Sequence, residues 1–192
     1  LRPTGQQQTV FAEAAEQYDR VLSLMEQGDT TELDVRIEYG KTLVGAGKLT
    51  EGLECLEEAY FRWHEERPGR PTQLYYELGK AHYAAQDKDR AEDYFRLFSR
   101  DVEAYFSVAT RGTRTEDKLE ALRTLADIYR DSGNYRSAVD VLRRGVSAID
   151  QFGNRLRIEP SKSKEFRLLL ADALLHDGLH EDCIVELRKL VS

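Results

Sequence analysis

The sequence predicts an all-α protein built as a solenoid of helix hairpins. Three observations carry that prediction. Apolar residues recur at helical spacing, as in LADIYRDSGNYRSAVDVL, residues 125–142, where Leu125, Ile128 and Tyr129 precede a break and Ala138, Val139 and Leu142 follow it. The break itself, Ser132, Gly133 and Asn134, favours a turn over a helix. A small residue stands seven positions before the turn position and another five after it, and this arrangement occurs four times along the 192 residues.

The elements follow in order. FAEAAEQYDRVLSLMEQGD, residues 11–29, reads as one amphipathic helix with Phe11, Ala14, Tyr18, Val21, Leu22 and Met25 on a stripe. It serves either as the second helix of an earlier repeat or as an N-terminal cap. YGKTLVGAGKLTEGLECLEEA follows, with Gly40, Gly47, Gly52 and Ala59 at the small and turn positions. LGKAHYAAQDKDRAEDYFRLF repeats the pattern with Gly79, Ala81, Ala91 and Phe95, but has Gln86 where the others have glycine. The third unit is the stretch above, with Ala126, Gly133, Ala138 and Leu142. The fourth is LADALLHDGLHEDCIVELRKL, with Ala171, Gly178, Cys183 and Leu187. Two antiparallel helices approach closely only where side chains are short, which explains the alanines and glycines beside each turn. Such a hairpin cannot bury its apolar stripe alone, and stacking on neighbours completes the core.

QLYYELGKAHYAAQDKDRAEDYF, residues 73–95, resembles the tetratricopeptide repeat (TPR) family, with Tyr75 in the tryptophan place of the motif. The resemblance covers about residues 33–192 and implies a right-handed α-solenoid. The chain is then a single domain over 1–192, with the N-terminal helix at 11–29 and repeats at about 33–66, 72–109, 116–152 and 164–192. The small positions 40, 79, 126 and 171 are spaced by 39, 47 and 45 residues, longer than the ~34 of the family. Residues 90–109 account for part of the excess as one long helix. Residues 151–163 account for the rest as a loop broken by Gly153, Asn154 and Pro160, with Ser161 or Ser163 capping the next helix.

First helices line a concave face in this family. The resemblance therefore implies inward positions at Asp34, Ile37, Lys41 and Val44, then Gln73, Tyr76, Lys80 and Tyr83. It implies Glu120, Arg123, Asp127 and Arg130 in the third repeat, and Glu165, Leu168, Asp172 and Leu175 in the fourth. The candidate partner-binding residues are Lys41, Tyr76, Lys80, Tyr83, Arg123 and Arg130. Cations alternating with rings suit an extended or helical segment of a protein partner that carries an acidic group and an apolar side chain. The carboxylate clamp of chaperone-tail binders is missing, because Lys41 and Lys80 stand in its asparagine places and Glu120 in a lysine place. The alternative function is a self-assembling subunit, a homo-oligomer joined through its terminal repeats. The chain stops at Ser192 inside a second helix, which leaves Ile184, Leu187, Leu190 and Val191 with an uncovered side. Truncation is the preferred account of that end, and the opening Leu1 likewise reads as a fragment or processed product.

Charge narrows the partner class. Lysine and arginine number 28 and aspartate and glutamate 35, a net −7, and the excess falls within residues 1–60, which hold five basic and twelve acidic side chains. Nucleic-acid binding needs a positive field and is disfavoured. The related pentatricopeptide repeats bind RNA but have a shorter period than this chain. Arg111, Arg114 and Lys118 before the third repeat, with Arg155, Arg157, Lys162 and Lys164 before the fourth, read as solvated loop residues able to form a basic ridge. Hydrophobic residues make up 41% of the chain, but no apolar run nears the ~20 residues of a membrane span. LRPTGQQQT has no apolar signal core. The compartment stays open, with the cytoplasm a mild preference. Cys55 and Cys183 read as two buried thiols rather than a bridge. His176, His180 and Cys183 tempt a metal reading, but Gly178 breaks the helix between the histidines. No phosphate loop, nucleophile elbow or catalytic pairing is present, so neither an enzyme nor a cofactor is expected.

Overall fold

A computed structural model describes residues 5–26, 29, 31–100, 106–107, 109 and 115–191. Among them there are nine α-helices and no strand. They are α1 (Gly5–Leu24), α2 (Glu32–Gly45), α3 (Leu49–Glu66), α4 (Thr72–Ala84), α5 (Lys88–Ser99), α6 (Thr115–Asp131), α7 (Tyr135–Leu156), α8 (Pro160–His176) and α9 (His180–Val191). The chain divides into two compact units, Leu1–Tyr94 and Phe95–Ser192.

All four hairpin turns are built alike. Two residues past the end of each first helix stands a residue with left-handed backbone, at Gly47 (φ 84°), Gln86 (φ 65°), Gly133 (φ 74°) and Gly178 (φ 80°). The amide after it donates back five residues: Lys48 to Leu43, Asp87 to His82, Asn134 to Tyr129 and Leu179 to Leu174. This Schellman arrangement satisfies the last carbonyls and reverses the chain. At Asn134 the side chain also accepts from the Ser137 amide at 3.2 Å and caps α7.

Short side chains set the approach within each hairpin. A Cβ added to Gly52 would lie 2.7 Å from Val44 Cγ2 and 3.0 Å from the Gly40 carbonyl oxygen, so α2 and α3 touch backbone to backbone. Gly79 is buried, and Ala91, Ala126 and Ala138 fully buried, at the equivalent places. In the first unit the core is Leu33, Ile37, Leu56, Ala59, Leu74, Leu78 and Ala81, with Trp63, Tyr60 and Tyr94 packed against it. In the second, Phe166 of α8 lies on Gly145 of α7, where any side chain would collide with its ring.

Three boundaries differ from expectation. Helix α1 starts at Gly5 and ends at Leu24 rather than spanning 11–29. The polar residues before Phe11 are adequate helix formers, and the Thr9 hydroxyl donates to the Gly5 carbonyl at 3.1 Å. Only Ala15 of this helix is buried; Phe11 covers Gly45 but stays partly exposed, as does Val21.

The single helix expected over 90–109 does not form, because α5 closes at Ser99 and a turn follows at Arg100. Two cations take its final carbonyls: Lys118 donates to the Phe98 oxygen and Arg144 to the Ser99 oxygen at 2.6 Å. The Ser99 hydroxyl bonds back to Phe95 at 2.6 Å, which also loosens the last turn.

The loop expected over 151–163 shrinks to Arg157, Ile158 and Glu159. Helix α7 runs through Gly153 because Ile149, Gly153 and Leu156 continue its buried stripe. That packing outweighs the roughly 1 kcal/mol helix penalty of one glycine. Pro160 opens α8 and Glu159, not Ser161 or Ser163, holds the N-cap position.

Candidate functional site

The first-helix positions can be built up unit by unit. In the first unit, Lys41 of α2 pairs with Glu38 at 2.8 Å and lies 3.9 Å from Glu77 of α4. Glu77 also accepts from Lys80 at 3.1 Å and from Gln73 at 2.8 Å. With only 6% of its surface exposed, this carboxylate is the hub that joins α2 to α4. The Lys80 ammonium stands 4.9 Å over the Tyr76 ring, a cation–π contact. Tyr76 is buried, Lys80 exposed and Tyr83 half-buried. Asp34 points the other way along α2 and takes Arg67 through two bonds of 2.7 and 2.9 Å.

In the second unit, Arg123 of α6 pairs with Glu120 at 2.6 Å and Asp127 at 3.1 Å, and lies 3.8 Å from Glu165 of α8. Arg130 bonds Asp127 at 3.2 Å and Asp172 of α8. Arg123 holds the Glu120 carboxyl below its usual range by hydrogen bonding. Burial pushes Asp127 the opposite way, outweighing both guanidinium groups. Leu168 and Leu175 of α8 are exposed beside these pairs.

The structure thus brings Lys41, Tyr76 and Lys80 together around Glu77, and pairs Arg123 and Arg130 with carboxylates of the next first helix. Glu77 was missed in the sequence. Its signal was the spacing of Gln73, Glu77 and Lys80, which share one helical face. A comparable hub is Glu32, which Arg62 and Arg36 bind at 2.6 and 2.8 Å. These bonds, Arg62's first, hold its carboxyl at a pKa of about 2.

Among the described residues of the expected basic ridge, Arg157 alone lies in a loop. Arg111 and Arg114 lie outside the described residues. Lys118 is within α6 and buried, and Arg155 is within α7, donating to the carbonyls of Phe106 and Ser107. Lys162 belongs to the first turn of α8 and pairs with Glu165 at 3.1 Å.

Both cysteines are free. The Cys55 thiol donates to the Arg36 carbonyl at 3.3 Å, and burial raises its pKa to about 11. His176 stacks on Tyr135, with centroids 4.7 Å apart. Among the described residues no group of three or more histidine, cysteine and acidic side chains is placed to hold a metal. No described helix is long and apolar enough to cross a membrane.

The tetratricopeptide repeat family model matches residues 39–101 and 123–184. A curated relative, the BBSome complex member BBS4 homolog of Drosophila melanogaster, is 29% identical over 106 residues, which are 55% of this chain and 20% of that protein. The chain therefore spans about a fifth of the relative's length. Among solved structures, a kinesin-light-chain-type protein of Podosopora anserina with nearly identical TPR-like repeats has a TM-score of 0.69 at 20% identity. The match covers 96% of this chain and 88% of the other. MamA has a TM-score of 0.65 at 17% identity, covering 94% of this chain and 86% of its own. At such identities the likeness is one of fold, all-α with TPR-type hairpins.

Proposed function

This chain belongs to the tetratricopeptide repeat family, and on that premise we propose that its first-helix surfaces receive an extended or helical segment of a protein partner. Members of the family are generally protein-interaction scaffolds. The contacts are Lys41, Tyr76, Lys80 and Tyr83 in the first unit and Arg123 and Arg130 in the second, within one repeat domain of 192 residues. The observation behind this reading is the set of ion pairs that join successive first helices, Lys41 with Glu77, Arg123 with Glu165 and Arg130 with Asp172. They hold the first-helix surface of each unit in one arrangement before a partner arrives, so little ordering cost remains within each. The cations already have internal carboxylates, so an acidic partner group competes for them rather than meeting bare charge. Binding, not catalysis, is the role.

The test is charge reversal. A partner isolated by affinity capture should bind the Lys80→Glu, Arg123→Glu double variant at least about tenfold more weakly than the parent. Equal binding removes the assignment.

A second reading has its own observation. Ile184, Val185, Leu187 and Val191 of α9 are exposed, Val191 by 88%, and such a face suits contact between copies. The relative's place in a multi-subunit complex is compatible with either reading. Light scattering over a concentration series separates them: a monomer at high micromolar concentration rejects self-assembly.

A further inference from the structure

A groove runs between the second helices of the first unit, α3 and α5. Its cavity of about 390 Å³ is lined by Glu57 and Phe61 from α3 and by Arg90, Asp93 and Tyr94 from α5. Phe61 is 67% exposed, although its Tyr60 neighbour packs into the core cluster. Beneath lies His82 of α4, only 2% exposed, stacked on Tyr94 with centroids 5.4 Å apart. Its Nε2 is directed at Glu57, a wall of the cavity, at 3.4 Å, and neither ring nitrogen makes a well-formed hydrogen bond.

We propose that this groove is a docking surface for a basic, amphipathic segment of a protein partner, with an arginine or lysine of that segment entering between Phe61 and Tyr94. Charge complementarity carries the choice of occupant. Residues 1–94 hold nineteen acidic and eleven basic side chains, a net −8. On the groove itself Asp93 is exposed and makes no ion pair among the described residues, and Glu54, one turn before Glu57 on α3, is the same. The exposed Phe61 ring offers a cation the face it prefers, while one face of Tyr94 is taken by His82. The rim already accommodates one guanidinium: Arg90 bonds Glu57 at 2.9 Å and lies 3.7 Å from Asp87, while 61% of its side chain remains exposed. An apolar partner residue would cover Phe61, and a nucleic acid would be repelled. This surface is distinct from the first-helix face, because His82 and Lys80 differ by about 200° around α4.

The experiment uses a fluorescein-labelled helical peptide with arginine on one face and leucine on the other, and the same peptide with glutamate for arginine. Anisotropy is read on the full chain in about 0.1 M salt. The arginine peptide should bind at least about tenfold more tightly than the glutamate peptide. Phe61→Ser and Asp93→Asn should each weaken it about tenfold, and Phe61→Tyr should retain it. Lys80→Ala should change it less than twofold, which keeps this surface apart from the first-helix face. Equal affinity for both peptides, or parental affinity in the Phe61→Ser, Asp93→Asn double variant, overturns the proposal. A drop caused by Lys80→Ala as large as that by Phe61→Ser overturns it too.

Discussion

Glu57 on α3 and Arg90 on α5 meet at 2.9 Å, and the same two repeat positions in the second unit hold Arg143 on α7 and Asp182 on α9, joined with the signs exchanged. Each pair bridges successive second helices beside a cavity, the second lined by Val146, Leu170, Leu174 and Val185. Both units thus place opposite charges at these two positions, on opposite helices. Exchanging the pair as Glu57→Arg with Arg90→Glu should leave stability within about 0.5 kcal/mol of the parent. Either single change should cost roughly 0.5–1 kcal/mol from like charges. A thermal double-mutant cycle measures the coupling.

Gln86 occupies a left-handed position that glycine fills in the other three turns. A side chain there costs ~1–2 kcal/mol, part of which glycine returns through the unfolded chain. Gln86→Gly should therefore stabilise by about 0.5–1 kcal/mol in urea titration. Gly47→Ala, at φ 84°, should destabilise by a similar amount.

Ala126 and Ala138 are fully buried at the positions that Gly40 and Gly52 hold in the first hairpin, where the two helices touch. Ala138→Leu should destabilise by ~1–3 kcal/mol through overpacking. Ala126→Gly, which makes room on the facing helix, should recover part of that loss. Chemical denaturation of the single and double variants reads both.

His82 takes the place that buried Leu174 takes in the fourth repeat. Burial depresses its pKa below the ordinary 6.5, against the pull of Asp87 and Glu57, and Arg90 adds to the depression. The unfolded chain thus binds the proton more readily, so stability falls as pH drops below about 6.5. His82→Leu should flatten the melting temperature between pH 6.5 and 5 and leave the value at pH 8 unchanged or higher.

Much of this fold was legible because hairpin contact is a steric demand on particular positions. Gly40, Gly52, Ala126 and Ala138 sit where a longer side chain meets backbone or a neighbouring helix, and that demand leaves a mark at fixed spacing. Helix ends were less legible. Gly153 and Asn154 look like breakers until Ile149 and Leu156 are seen to be buried on either side. Arg90 to Ala109 looks continuous until Lys118 and Arg144, distant in sequence, are found on the carbonyls of Phe98 and Ser99. Glu77 escaped notice because its role depends on Lys41 arriving from another helix.

The buried amine of Lys118, 3% exposed and directed at the Phe98 carbonyl, gives this protein an internal reporter. Acylating reagents that modify surface lysines on mixing reach it only when α6 separates from the segment it holds. The rate at which Lys118 gains mass under such a reagent is then a clock for transient opening of the second unit. It can be read by peptide mapping, with no residue substituted and no denaturant added.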